Sequence, residues 1–178
     1  LSVKNYNLEA IPMGYISVGE GGTMGFIGQS RGIPASKPKL AAMYALAAQY
    51  LGMRYIYLEA GSGVISHISP EFVKVVKSVY NGKLIVGGGI KNKKVAKSLA
   101  LAGADIIVIG TLLEQDNFQN ELSPLIKDIT NVKKWDYSVM WYIVINNISQ
   151  SFDLVKENIV YPDKYLPYVK GFLDDIDK

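Results

Sequence analysis

Residues 57–63 read YLEAGSG, a carboxylate at the end of an apolar run followed by four small residues. A buried strand gains nothing from an ionised side chain unless the charge is paired or used. Glu59 can accept hydrogen bonds from the hydroxyl groups of a ligand or take up a proton. Ala60, Gly61, Ser62 and Gly63 can wrap a small polar molecule, with Ser62 offering a hydroxyl donor. The plainer reading pairs Glu59 with a nearby Lys or Arg in a salt bridge.

A second stretch, VGGGIKN (residues 86–92), sets three glycines ahead of a helical pattern, and IGTLLE (109–114) repeats a strand-ending glycine. Backbone N–H groups bare of side chains can approach an anion closely, and a helix N-terminus adds its partial positive charge. In barrel enzymes the loops after the last two strands commonly form such a phosphate cradle. A tight turn at residues 87–89 is the simpler alternative. A third stretch, GEGGTMGFIGQSRGIP (19–34), holds six glycines and one arginine, Arg31. A loop of that length is usually functional: it can close over a ligand, with Arg31 meeting a diphosphate. The alternative is a flexible surface connection. The single histidine, His67, has no evident partner and no assigned role.

The elements that must position these residues alternate regularly. Strands are predicted at AIPMGYISV (10–18), RYIYLE (54–59), KLIVGG (83–88) and ADIIVIG (104–110). Helices are predicted at KPKLAAMYALAAQYLG, SPEFVKVVKSVYNG and NKKVAKSLALAG, with a last one near 117–130. Ser69 reads as an N-cap with Pro70 behind it, and Gly52 and Gly82 read as stops. The small and aromatic residues of LAAMYALAAQYLG recur at helical spacing, which predicts core packing. Four βα units in series imply parallel strands with right-handed crossovers, hence an α/β fold, either a (β/α)8 barrel or a doubly wound sheet. Residues 1–132 form that segment. Residues 133–178, rich in aromatics and Asn, form a tail with no assigned role.

Composition narrows the function. The chain is 49% hydrophobic and 20% charged with a net charge of +3, an ordinary globular balance without the basic stripe of a nucleic-acid binder. The absence of cysteine removes disulfides and thiolate metal sites. No stretch reaches the roughly 18 apolar residues of a spanning helix. The expectation is a cytoplasmic protein, with a start at Leu1 that looks truncated.

Together, residues 9–115 resemble the geranylgeranylglyceryl phosphate synthase family of archaea, with its bacterial heptaprenylglyceryl phosphate synthase relatives. The resemblance rests on IPMGYISVGEGGTMGFIGQSRGIP, KPKLAAMYALAAQYLGMRYIYLEAGSG, LIVGGGIKN and AGADIIVIGTLLEQ, in that order. It implies a TIM-type (β/α)8 barrel that joins sn-glycerol 1-phosphate to geranylgeranyl diphosphate with Mg2+, giving an ether-lipid precursor. It places glycerol phosphate on Tyr57, Leu58, Glu59, Ala60, Gly61, Ser62 and Gly63, with the phosphate on Gly88, Gly89, Gly110 and Thr111. Glu59 would orient the attacking hydroxyl and receive its proton.

The family begins with a strand ending in an Asp-Pro-Asp type motif that helps bind the metal, and no such segment precedes Leu8. The match is to strands five to eight, so the Mg2+ ligands are expected in the first half of the barrel. A homo-oligomer is expected, with peripheral membrane contact through the prenyl group. Replacement of Gly88 by a bulky residue is expected to abolish phosphate binding and leave the fold largely intact. Two other readings remain at this stage. One is a different phosphate-binding barrel enzyme such as an isomerase or aldolase, which would need a catalytic Lys or second carboxylate at a strand end. The other is a non-catalytic phosphate-binding remnant.

Overall fold

The computed structural model describes residues 2–5, 7, 9–20, 22–110, 124 and 125 of the chain. In chain order the elements are α1 (Ser2–Asn5), β1 (Met13–Ser17), α2 (Gly22–Ile27), α3 (Pro38–Tyr50), β2 (Tyr55–Glu59), α4 (Pro70–Lys77), β3 (Lys83–Gly87), α5 (Lys93–Ala102) and β4 (Ile106–Val108). The strands form one parallel sheet in the order β1-β2-β3-β4. Each strand joins at the same edge, so right-handed crossovers put α3, α4 and α5 on the same face. α3 packs on α4 and α4 on α5, as that arrangement requires. A doubly wound sheet needs a reversal of strand order. None occurs among the described strands, and the sheet is an arc of a (β/α)8 barrel.

Strand alternation then sorts the side chains between two faces. Ile16, Ile56, Leu58, Leu84, Val86 and Ile107 are buried in the core that the helices cover. The alternate positions, Met13, Tyr15 and Ser17 on β1 and Tyr55, Tyr57 and Glu59 on β2, share the concave face by register. That face is only partly covered: Met13 and Tyr15 are 43% and 45% exposed. The expected strand at 10–18 is therefore shorter than its apolar run. Pairing with β2 begins at Met13↔Tyr55, and residues 10–12 have no ladder partner in that pair.

Capping chemistry fixes the helices. The Ser69 hydroxyl accepts the Phe72 N–H at 3.2 Å, and the Asn92 side chain accepts the Val95 N–H at 3.1 Å. Gly103 closes α5 at φ 115°, a conformation that favours glycine. α4 stops at Lys77, well before the expected stop at Gly82. α3 differs most from expectation. Ala41, Ala42 and Ala45 face the core, whereas Met43, Tyr44 and Tyr50 are exposed. The small residues let α3 sit close to the sheet. A Cβ at Gly14 would lie 2.6 Å from Ile56 Cδ1 and 3.3 Å from Ala48 Cβ.

The amino ends of the strands are tied as scaffold. Asp105, 9% exposed, accepts the Lys77 ammonium at 2.6 Å and the Leu84 N–H at 2.9 Å. Lys77 also donates to the Gly82 carbonyl at 2.8 Å, and the Tyr80 hydroxyl donates to the Met53 carbonyl at 3.0 Å. In barrels this end carries stability and the opposite end carries chemistry. Among the described residues no helix is long and apolar enough to cross a membrane. The helix expected near 117–130 lies outside the described residues apart from Pro124 and Leu125, of which Leu125 joins the core. Thr111 and the tail at 133–178 also lie outside the described residues.

Candidate functional site

Register brings one row of residues to the carboxyl ends of the strands. Ser17 pairs with Glu59, Glu59 with Gly87, and Gly87 with Val108. The loops that follow these residues therefore leave the sheet side by side: 60–69 after β2, 88–92 after β3, and 109–110 after β4.

Glu59 is 8% exposed, yet neither ion pair found among the described residues includes it. The salt-bridge reading has no partner among the described residues. Its Oε1 instead accepts the N–H of Gly61 at 2.6 Å, a charge-assisted bond across a turn that Gly61 makes at φ 110°. The Tyr57 hydroxyl completes the setting. Burial first, then a hydrogen bond and charge from Glu59, then the charge of Tyr15, raise the Tyr57 phenol well above its ordinary value. Tyr15 is pushed up to about 12, by burial first and then by Glu59. The two rings lie 4.9 Å apart at 57°. Both phenols thus stay protonated beside Glu59, with Tyr57 as a donor to it.

Gly87 forms the floor under this group. A Cβ there would meet the Tyr57 hydroxyl and lie 2.9 Å from Glu59 Oε2. Gly88 is equally crowded, which runs against the expectation that a bulky residue there leaves the fold largely intact. At φ 87° its Cβ would lie 2.6 Å from Glu59 Oε1, 2.7 Å from Gly61 N and 2.9 Å from Ala60 N. Gly89, at φ 67°, would place its Cβ 3.0 Å from the backbone N of His67. These glycines let the β2 and β3 loops lie against each other, beyond any anion they hold. Gly110 is different: among the described residues nothing lies within 4 Å of its Cβ position.

The first turn of α5 lies next to these glycines. It has no acidic residue, and Lys91, Lys93 and Lys94 flank its Asn92 cap. Positive side chains at the positive end of a helix repel its dipole, a conflict that a bound anion relieves.

The segment 19–32 is not the loose connection that its glycines allow. It contains α2 and is closed at its base by a bridge between Val18 and Ile33, with Gly19 N–H to Ile33 O and Ile33 N–H to Ser17 O both at 2.8 Å. A Cβ at Gly22 would lie 3.3 Å from Gly61 Cα, so α2 begins against the YLEAGSG turn. Arg31 is exposed.

Of the residues singled out in the sequence, Tyr57, Glu59, Gly61, Gly88 and Gly89 come together. Leu58 does not join them by its side chain, which is fully buried in the core, and the Ala60 side chain is buried there too. Ser62 and Gly63 are exposed next to the turn. Sequence reasoning missed Ser17, Tyr15 and the α5 lysines. Aligning the ends of β1 and β2 by alternation would have put Tyr15 and Ser17 on the face of Tyr57 and Glu59. Among the described residues no three acidic, His or Cys side chains come together to hold a metal ion.

Three outcomes follow from this geometry. Stability is expected to be unaffected by the tyrosines below pH 10 and to fall above it. There the unfolded phenols, with an ordinary pKa of about 10, lose protons that the folded ones keep. Melting temperature followed from pH 9 to 12 should decline less steeply in Tyr57→Phe than in the parent. Equal slopes would contradict the Tyr57 environment. Gly88→Ala should lower stability by about 1–3 kcal/mol through a left-handed backbone and the collision with Glu59. Gly110→Val should melt like the parent while binding phosphate more weakly. Undiminished phosphate binding by Gly110→Val, read by calorimetry, would remove Gly110 from the cradle.

The chain is 53% identical over 132 residues to geranylgeranylglyceryl phosphate synthase of Nitrosopumilus maritimus, covering 74% of this chain and 53% of that protein. It is 53% identical over 130 residues to the synthase of Pyrococcus horikoshii, covering 73% and 51%. The crystal structure of (S)-3-O-geranylgeranylglyceryl phosphate synthase from Thermoplasma acidophilum, in complex with substrate sn-glycerol-1-phosphate, is similar with a TM-score of 0.70. It is 42% identical, over 73% of this chain and 53% of that one. The chain thus spans about half the length of the curated relatives it matches. Residues 1–133 match the family description itself, and on that extent of its sequence the chain belongs to the PcrB family.

Proposed function

We propose that these strand ends bind sn-glycerol 1-phosphate. In the reaction they serve, the glycerol hydroxyl attacks geranylgeranyl diphosphate to give geranylgeranylglyceryl phosphate and diphosphate. The observation that carries this reading is the buried carboxylate of Glu59, held by Gly61 N–H and Tyr57 beside a glycine-lined helix N-terminus. A ligand with a hydroxyl at one end and a phosphate at the other fits both halves of that arrangement. The likeness to the Thermoplasma acidophilum synthase in complex with its substrate supports the same ligand.

In this reading the backbone of 88–89 and 110 and the start of α5 hold the phosphate, and Glu59 accepts the hydrogen of the attacking hydroxyl. A new C–O bond forms at the allylic carbon, the old C–O bond leaves with diphosphate, and the proton passes to Glu59. The described acidic side chains do not fit a magnesium site, because no three of them come together and Glu59 itself is engaged with Gly61 and Tyr57. Mg2+ would be held by residues beyond those described, as would the diphosphate. A role in archaeal ether-lipid synthesis, a cytoplasmic location, self-association and membrane contact through the prenyl group belong to the same proposal.

An isomerase or aldolase would need a second acid, base or lysine at these strand ends. Asp105 and Lys83 sit at the opposite ends, and at this end Glu20, Lys91, Lys93 and Lys94 form no ion pair with Glu59 among the described residues. Calorimetric titration separates the readings: sn-glycerol 1-phosphate should bind more tightly than inorganic phosphate. Equal affinities would leave only an anion cradle and overturn the glycerol reading.

A further inference from the structure

The Ser17 hydroxyl sits in the strand-end row without employment. Ser17 is 4% exposed, and its Oγ has no hydrogen-bond partner among the described residues. Buried hydroxyls are nearly always paired, because an unpaired one forfeits its bonds to water. The backbone carbonyl of Ser17 already accepts Ile33 N–H at 2.8 Å, so the side chain alone is left over. The segment 19–32 closes over it: Cβ positions at Gly25 and Gly32 would lie 3.6 and 3.3 Å from Ser17 Oγ.

Register pairs Ser17 with Glu59, which puts the two side chains on one face of neighbouring strands, spaced about 4.8 Å apart. Their hydrogen-bonding capacities are complementary. The ionised carboxylate only accepts, whereas a serine hydroxyl donates one bond and accepts two. An alcohol that donates its hydrogen to Glu59 keeps free lone pairs on the same oxygen. Ser17 Oγ–H fits one of them.

We propose that Ser17 is a ligand-contacting residue that, with Glu59, holds one hydroxyl oxygen of a polyol monophosphate. This rests on the glycerol phosphate reading above and adds to it a second, donor contact at the alcohol end. Ser17 thus has a part in recognising the hydroxyl and none in recognising the phosphate. Its hydroxyl stays unpaired in the free protein because its partner arrives with the ligand.

The test uses the full chain with Ser17→Ala and Ser17→Cys, two probes and a melting curve. Ser17→Ala should bind sn-glycerol 1-phosphate about three- to tenfold more weakly, the effect of one neutral hydrogen bond. Inorganic phosphate should bind as it does to the parent, because the phosphate end is untouched. Both variants should melt at or above the parent temperature, since an unpaired buried hydroxyl is removed. Ser17→Cys restores the volume with a weak donor and should not recover the affinity. A lowered melting temperature in Ser17→Ala, weaker binding of both probes together, or full recovery by Ser17→Cys would each show a packing role and overturn the proposal. So would an unchanged affinity for sn-glycerol 1-phosphate. A parent chain that prefers sn-glycerol 1-phosphate while Ser17→Ala matches it sinks the Ser17 contact alone. A parent without that preference sinks the glycerol phosphate reading and this proposal with it.

Discussion

Glu59→Gln is expected to weaken sn-glycerol 1-phosphate binding by about one to two orders of magnitude, the range for a hydrogen bond to a charged group. Inorganic phosphate should bind the variant as well as the parent, or better, because a negative charge is gone. Glutamine keeps the shape but presents one oxygen where the carboxylate presents two. The Gly61 N–H, the Tyr57 hydroxyl and the ligand hydroxyl all require an acceptor, so one of the three is left facing an amide NH2 group. Glu59→Ala goes further and leaves the Gly61 N–H and Tyr57 hydroxyl unpaired, at a cost of about 1–3 kcal/mol in stability. Calorimetry with both probes and a thermal melt read these effects. A Glu59→Gln protein with the parent's affinity for sn-glycerol 1-phosphate would remove the carboxylate from the site.

The second large effect concerns the barrel arc. Among the described residues β1 pairs only with β2 and β4 only with β3, so each end strand has one edge with no described partner. Unpaired edges template association with other chains. The concave face adds the exposed parts of Met13 and Tyr15, and α3 presents Met43, Tyr44 and Tyr50 on its outer side. Apolar burial contributes roughly 25 cal/mol per Å2, which makes association of these surfaces favourable. The 178-residue chain alone is expected to self-associate in sedimentation and to give no prenyl transfer in a radiolabelled assay. Joined to the four βα units that the resemblance places before it, it should transfer. A monodisperse monomer that turns over substrate by itself would contradict the half-barrel account.

Much of this was legible because local chemistry and tertiary role coincide. Ser69 and Asn92 cap their helices by side-chain bonds that depend only on neighbouring residues. Glu59 stood out because a carboxylate ending an apolar strand is costly without a purpose. Other features depend on partners distant in sequence. α2 forms within GGTMGFIG, a stretch with little helix propensity, where its first glycine lies against Gly61. The inward alanines of α3 were unremarkable until the sheet lay close behind them. Ser17 reads as an ordinary strand serine until register sets it beside Glu59. A bulky residue at Gly88 was expected to spare the fold, whereas its Cβ would meet Glu59 Oε1 and two backbone nitrogens of the β2 turn. Sequence shows that a glycine lacks a side chain; only the fold shows what fills the space.

The central claim is that one ligand is held at both ends, its hydroxyl by the Glu59 group and its phosphate by the glycine loops and α5. Chirality tests this directly, because the two enantiomers of glycerol phosphate share every functional group and differ only in the direction each group points. Titration calorimetry of the chain with sn-glycerol 1-phosphate and with sn-glycerol 3-phosphate should show clearly tighter binding of the first. Equal affinities would mean that the phosphate alone is recognised, and would contradict the role given to Glu59.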